Sequence, residues 1–525
     1  MREWIGFWSI GLWSLILYGS VGLPEEGYVG EKRLSTQYSS RAVGLYAVTG
    51  MVAVLSVAGC KVGPDYKKPD VLVPSGYAST RPTTNPTTQP SADAVELIRW
   101  WENLGDSQLT SLIDRATRAN LNLKIAAARV RQARAQLGIY SALGQPQVDA
   151  NAGYAHRKGS DHIAGANGPQ HASDLYSAGF DASWELDLFG GDKRQVEVGE
   201  AQIITAVESQ RDVLVSLQAE LASSYTDLRA NQKRLVVARQ TVQSQQQVAN
   251  LVRSRFEAGL ANDLDVARAD AQVASTQAQT PLFEAAIRVD MHRVGILLGH
   301  GPADNIAELE TLKPIPVAPP QIPADIPGDL LQRRPDIRRA EADLRAVTAG
   351  IGVAKSELYP KFYLLGNIGL QSSQVKNWWQ ADSRSWSFGP QINWSILNAG
   401  RINSNIEVQN ALQEQSLLRY QQTILNSVED VENALTRYGH EQQRRGLLQT
   451  SVNANQRAVN LAEELYQRGL TDFTPVLDAQ RSLYQAQDQL VSSEGNVTGF
   501  AISVYKALGG GWIGVEPPAP TTRPK

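Results

Sequence analysis

Ser177-Ala-Gly-Phe-Asp-Ala-Ser-Trp-Glu-Leu-Asp-Leu188 alternates without a break, with Ala178, Phe180, Ala182, Trp184, Leu186 and Leu188 on one side and Ser177, Gly179, Asp181, Ser183, Glu185 and Asp187 on the other. Successive side chains of an extended backbone point to opposite sides, so a period of two marks a strand with one apolar and one wet face. The alternation returns at 385–397, where Trp386, Phe388, Ile392, Trp394 and Ile396 oppose Ser387, Gly389, Gln391, Asn393 and Ser395. Two paler segments accompany these. Residues 146–156 set Val148, Ala150, Ala152 and Tyr154 against Asp149 and Asn151, and residues 361–371 set Phe362, Leu364, Ile368 and Leu370 against Tyr363, Asn367 and Gln371.

On pattern alone, a soluble antiparallel sheet packed on one side fits as well as a membrane wall. Three features favour the wall. Each segment has roughly the 9–11 residues that cross a bilayer at a tilt. Of the eight Trp after Cys60, five (Trp184, Trp378, Trp379, Trp386, Trp394) lie in or beside the strands, where an aromatic girdle belongs. The intervening loops, 157–175 and 372–384, are long and polar. Four strands cannot close a barrel, and open edges are not tolerated in lipid, so the chain is expected to associate. Two copies would make eight strands with a filled interior; three would make twelve with a lumen.

Outward from the strands the chain repeats itself. Gly138, Ile139 and Pro146 correspond to Gly352, Val353 and Pro360 at an offset of 214, and Phe256-Glu-Ala-Gly-Leu260 corresponds to Tyr466-Gln-Arg-Gly-Leu470 at an offset of 210. Each copy is predicted to run helix, two strands, very long helix, tight turn, helix. The predicted elements of the first copy are helix 106–138, strands 146–156 and 176–188, and helices 193–257 and 263–298. Those of the second are helix 336–358, strands 361–371 and 385–397, and helices 401–467 and 475–508. Leu214, Leu221, Leu228, Leu235, Val242 and Ala249 recur every seven residues, the spacing of a left-handed supercoil. Ile424, Val428, Val431, Leu435 and Tyr438 do the same in steps of four and three. A helix of some 65 residues is about 100 Å long, too long for one globular core. A plain coiled-coil rod is the simpler reading, but it leaves the strands that feed both rods unexplained. The fold class is mostly α with a small β part and two internal repeats.

The domain reading is 1–59 leader, with a doubtful start codon; 60–103 N-terminus and Pro/Thr-rich tether; 104–302 first repeat; 303–335 Pro-rich linker; 336–512 second repeat; and 513–525 disordered tail. Apolar runs at 4–23 and 42–58 both precede Cys60, the single cysteine, and Leu55-Ser-Val-Ala-Gly-Cys60 resembles a lipobox. Cys60 is therefore the expected lipidation site. With 50 basic and 53 acidic side chains, a net charge of -3 and no basic block, the chain lacks the clustered cations of a nucleic-acid binder. A mean hydropathy of -0.28 excludes a polytopic helical membrane protein. His156, His162 and His171 share one loop without metal-ligand spacing, and no phosphate loop or hydrolase motif occurs, so no cofactor and no enzymatic activity are expected.

These residues resemble the outer membrane factors, in particular the TolC/OprM-like, NodT-type lipoproteins of tripartite efflux systems. The resemblance rests on Cys60-Lys-Val-Gly-Pro-Asp-Tyr-Lys-Lys-Pro69, Trp100-Trp101 with Leu109, Arg334-Pro-Asp-Ile-Arg338 with Ala340-Glu341, Ile351-Gly352 to Tyr359-Pro360, and Leu477-Asp-Ala-Gln-Arg481. It spans residues 60–512 and implies a homotrimer, lipid-anchored at Cys60, with a 12-stranded β-barrel in the outer membrane continuous with a periplasmic barrel of long helices. It also implies a periplasmic adaptor protein docking at the turns through Phe256, Gly259, Leu260, Gly469 and Leu470, and an inner-membrane resistance-nodulation-division transporter beyond it. By position, Asp478 would form a ring of three carboxylates at the closed periplasmic aperture, and Tyr466 and Arg481 would hold the inner helical hairpin against its neighbours. Thr474-Pro475 departs from the apolar or acidic gate residues of the family. Asp181, Glu185 and Asp187 are expected to face the lumen and favour cations. The function expected is a passive exit duct for drugs or other small toxic compounds. A TolC-like duct for type I protein secretion, or a periplasmic coiled-coil scaffold, is the alternative.

Overall fold

The computed structural model describes residues 61–71, 97–160, 172–302, 304, 307–322 and 333–512, all within the unit Gly59–Lys525. The leader, Cys60, most of the tether, His162, His171 and the 513–525 tail lie outside the described residues.

The chain opens on a 3-10 turn, Trp100–Leu104, and continues through α1 (Ser107–Ala119), α2 (Leu121–Leu143), β1 (Gln147–Arg157), β2 (Ser173–Leu186), α3 (Gly191–Glu257), α4 (Asp263–Gln277) and α5 (Thr280–Leu297). After a single helical turn, Ala307–Glu310, come α6 (Pro335–Ser356), β3 (Lys361–Ser372), β4 (Arg384–Asn393), α7 (Arg401–Gln467) and α8 (Phe473–Ala507). Several boundaries differ from the sequence expectation, among them that of β2, which ends at Leu186 and leaves Asp187 and Leu188 beyond the strand. The helix expected at 106–138 breaks at Asn120, whose side chain caps α2 at Leu123 N (3.1 Å) and donates to Leu297 O (2.9 Å). The helix expected at 263–298 breaks before Pro281, which lacks the N–H that an uninterrupted helix needs. β4 stops at Asn393, so Trp394 and Ile396 lie beyond the strand.

The two copies match element by element. α3 and α7 have 67 residues each and begin 210 apart, each after a glycine with positive φ, Gly190 (77°) and Gly400 (83°). Both end at a glycine of the same kind, Gly259 (74°) and Gly469 (73°). There Gly259 N–H donates to Phe256 O (2.9 Å) and Leu260 N–H to Arg255 O (2.7 Å), while Gly469 N–H donates to Tyr466 O and Leu470 N–H to Leu465 O (2.9 Å each). This paired closure satisfies the last helical carbonyls and requires a left-handed residue, which glycine adopts without a Cβ clash.

Toward the sheet the helices pack in the order α2, α3, α6, α7; toward the turns the order is α4 and α5, α3, α8, α7, with α4 also meeting α8. α7 therefore lies at one margin along its whole length, and α2, α5 and α4 share the other. The heptad seams form the core: Leu214, Leu221, Leu228 and Ala249 of α3 are buried, as are Ile424, Val431 and Tyr438 of α7. The Pro-rich segment straps this core, accepting at Pro316 O from the Thr498 hydroxyl (2.7 Å), at Thr311 O from Arg229 (2.8 Å), and at Pro319 O from the Tyr438 hydroxyl. Among the described residues no helix is long and apolar enough to cross a membrane.

Between α3 and α5, Asp290 accepts from Asn231 (2.8 Å) with Asp227 adding a second negative charge, and burial pushes its carboxyl up to about 6. An acid whose folded pKa lies above its unfolded value makes folding less favourable as pH rises from about 4 to about 6, and the full penalty persists above that. Asp290→Asn should therefore raise thermal stability at pH 7.5, by about 1 kcal/mol after allowance for partial solvent access, and the gain should vanish below pH 4. Melting curves at the two pH values check this.

Candidate functional site: the sheet wall and the hairpin turns

β1, β2, β3 and β4 form one antiparallel sheet in that order, leaving β1 and β4 at its edges. The register places Ala150, Phe180, Ile368 and Trp386 in one row across all four strands, and Val148, Ala182, Gly366 and Phe388 in the next. The opposite face carries Asp149, Asp181, Asn367 and Ser387 in a row, then Asn151, Gly179, Gly369 and Ser385. One face is apolar from edge to edge and is left uncovered, with Trp386 77% and Ile368 64% exposed. Gly179 and Gly369 face each other where the backbones approach closely. A Cβ on either would lie 2.7 or 2.6 Å from the carbonyl oxygen of Ile368 or Ala178.

Trp184, on the apolar face, and Trp394, just past β4, are pinned at the foot of the sheet in the same way in both copies: Trp184 donates to Gly144 O and Trp394 to Leu358 O, 3.0 Å each. At the other rim the Tyr154 and Tyr176 rings lie 4.9 Å apart, and His156 and Tyr154 both bond Asp174. Amphipathic rings at both rims of an apolar band are the arrangement that interfacial residues adopt in outer-membrane barrels.

Of the three acidic residues expected on the wet face, Asp181 lies there and accepts from Asn151. Glu185 also lies there, paired with Lys361 at 3.2 Å. Asp187 lies past the strand, where its carboxylate accepts from Lys193 N–H (3.0 Å) in the first turn of α3.

Immediately after Cys60 the chain is fitted against the foot of the sheet. Val62 N–H donates to Phe189 O (3.1 Å), and Arg194, 2% exposed, donates to Val62 O, Gly63 O and Asp65. Gly63 has a φ of 93°, and a Cβ there would meet Gly352 Cα at 2.5 Å, so this segment staples α3 of the first copy to α6 of the second.

At the far end the turns expose Phe256, Leu260 and Leu470, the last to 70%. Behind them a small core of Val252, Ala269, Tyr466, Phe473, Val476 and Leu477 joins α3, α4, α7 and α8. Tyr466 is buried, its ring 5.7 Å from Phe473 and its hydroxyl without a partner among the described residues, and burial pushes its pKa up. Arg255, which sequence reading did not single out, closes this cluster. Its guanidinium lies 4.8 Å from the Tyr466 ring and donates to the last carbonyls of α7, Tyr466 O and Gln467 O, at 3.1 Å each. Arg481 donates to Gln272 Oε1 (2.5 Å), tying α8 to α4. Asp478 is exposed between these contacts and has no polar partner among the described residues.

A helix-rich chain with four strands suited to a membrane wall, and hairpins running about 100 Å from it, defines a class of membrane channel subunit. The profile described as outer membrane efflux protein matches residues 112–300 and 326–510, one stretch in each copy of the repeat, and the chain belongs to that family. It is 30% identical to nodulation protein T of Rhizobium leguminosarum bv. trifolii over 440 residues, 83% of this chain and 91% of that one. It is also 30% identical to the solvent efflux pump outer membrane protein SrpC of Pseudomonas putida over 462 residues, 88% and 97% of the two chains. The solved structure of the outer-membrane channel OprN superposes with a TM-score of 0.79 at 33% identity, covering 86% of this chain and all of that one.

Proposed function

We propose that three copies of this chain close head to tail into an outer-membrane exit duct for small toxic compounds, lipid-anchored at Cys60, carrying out no covalent chemistry of its own. The observation that carries the reading is where uncovered apolar side chains lie. α6 and α8, interior in the helix row, expose no large apolar side chain, whereas the marginal helices do. α5 shows Leu282, Val289 and Ile296 at heptad spacing, α2 shows Leu121, Ile125 and Ile139, and α7 shows Leu418, Leu425, Leu447 and Leu461. β1 continues from α2, and β4 leads into α7, so each margin of the helix row is continuous with one edge of the sheet. Joining one margin to the opposite margin of the next copy covers both at once. It also pairs β4 with β1 in antiparallel sense, and a heterologous contact of this kind closes into a ring. Three copies supply twelve strands, enough for a lumen.

The exposed turns at Phe256, Gly259, Leu260, Gly469 and Leu470 fit a periplasmic adaptor, with an inner-membrane resistance-nodulation-division transporter supplying the energy. Relatives named for solvent and toluene efflux support small toxic compounds as cargo. Asp478, free of polar partners among the described residues, would meet its two symmetry mates at the aperture, with Arg481 holding α8 in place.

Electron microscopy of the detergent-purified protein should show a three-fold ring with a continuous barrel. Asp478→Ala combined with Arg481→Ala should raise single-channel conductance in planar bilayers several-fold. A stable water-soluble monomer, or unchanged conductance, would count against the duct and its aperture respectively.

A further inference from the structure

We propose that Arg268 and Thr474 form a second clasp of the periplasmic aperture, parallel to the Arg481–Gln272 contact; the inference rests on the duct reading above. Arg268 Nη1 donates to the Thr474 hydroxyl at 3.3 Å, joining α4 of the first hairpin to α8 of the second. The nearest carboxylate of its own helix, Asp265, stands at 3.8 Å, beyond hydrogen-bond reach. Arg268 and Gln272 lie one turn apart on α4, and Thr474, Asp478 and Arg481 follow at i, i+4 and i+7 on α8, so all five share the α4–α8 seam.

The seam is therefore a ladder of two rungs with Asp478 between them. Each rung has a guanidinium donor and an uncharged acceptor, and the donor switches helix from one rung to the next. A carboxylate at either acceptor would add an ion pair to the bond and hold it more tightly. Thr474 and Gln272, being uncharged, make rungs that release more readily than such a pair would, and Asp478 stays unneutralised by either arginine. The Thr474 hydroxyl supplies a polar latch to the opposite hairpin, and Pro475, in the first turn of α8, lacks only an N–H that would have no helical partner there.

The test is single-channel recording of the full-length protein in planar bilayers, with thermal unfolding of the same preparations. Thr474→Val keeps the shape and removes the acceptor. It should raise open probability about fivefold, the modest effect of a hydrogen bond to a charged group that is long and solvent-exposed, with the melting temperature unchanged. Thr474→Ser should behave as wild type, and Thr474→Asp, pairing with Arg268, should hold the channel shut more tightly. Wild-type open probability in Thr474→Val, beside a raised conductance in the Asp478→Ala, Arg481→Ala double variant, overturns the second clasp and leaves the duct standing. Wild-type open probability and wild-type conductance in all of them overturn the aperture reading and the clasp with it.

Discussion

Phe180→Lys should abolish insertion of the protein into the outer membrane, whereas Asp181→Lys, one residue on, should insert normally. Phe180 stands at mid-height on the uncovered apolar face, in the row that includes Ile368 and Trp386. A lysine at the bilayer midplane costs about 2–4 kcal/mol, and a ring of three copies incurs that cost three times. Asp181 stands on the opposite face beside Asp149, where a lysine gains a carboxylate partner and faces water. Its effect should appear in the current: reversal potentials should shift from cation toward anion preference. Membrane fractionation and bilayer recording separate the outcomes. Equal insertion of both variants would mean that the apolar face is not the lipid face.

Arg255→Ala should open the far end of the helices more than any other single change. The side chain spans the gap between α3 and α7, donating to two terminal carbonyls and covering the Tyr466 ring, so its removal forfeits about 2–3 kcal/mol of contact per chain. It also leaves the last carbonyls of α7 without their cationic cap. Conductance should rise roughly tenfold, and trypsin should cleave faster near the turns, as expected for a local opening of that size. Arg255→Lys should recover only part, because one ammonium nitrogen that reaches both carbonyls leaves no planar group to cover the Tyr466 ring. An Arg255→Ala channel with wild-type current and wild-type proteolysis would remove this residue from the aperture.

Much of this was legible in the chain. The alternation read over 177–188 and 385–397 assigned faces that the observed register bears out as far as Leu186 and Asn393, because side-chain direction in a strand follows from backbone geometry alone. Gly259 and Gly469 marked the hairpin turns for a similarly local reason, since only a residue free of Cβ strain closes a helix that way. The heptads of α3 and α7 marked the buried seams. The break at Asn120 was not legible, because it depends on the Leu297 carbonyl, 177 residues away. Arg255 was missed for the same reason: its acceptors lie 211 and 212 residues along, and its counterpart by the repeat offset is Leu465, so the internal symmetry gave no hint. The staple at Gly63 depends on a backbone contact with Gly352 that no spacing encodes.

Taken alone, the order of amino acids determined which faces of the strands and helices are apolar, where the chain reverses, and that the unit occurs twice. Each of these follows from the period of a regular backbone or the conformational range of a single residue. Only the tertiary structure decided which helices become margins, which arginine meets which carbonyl, and which carboxylates are neutralised and which are left free. Those depend on distances between elements some two hundred residues apart, which are set by how the two copies dock against each other.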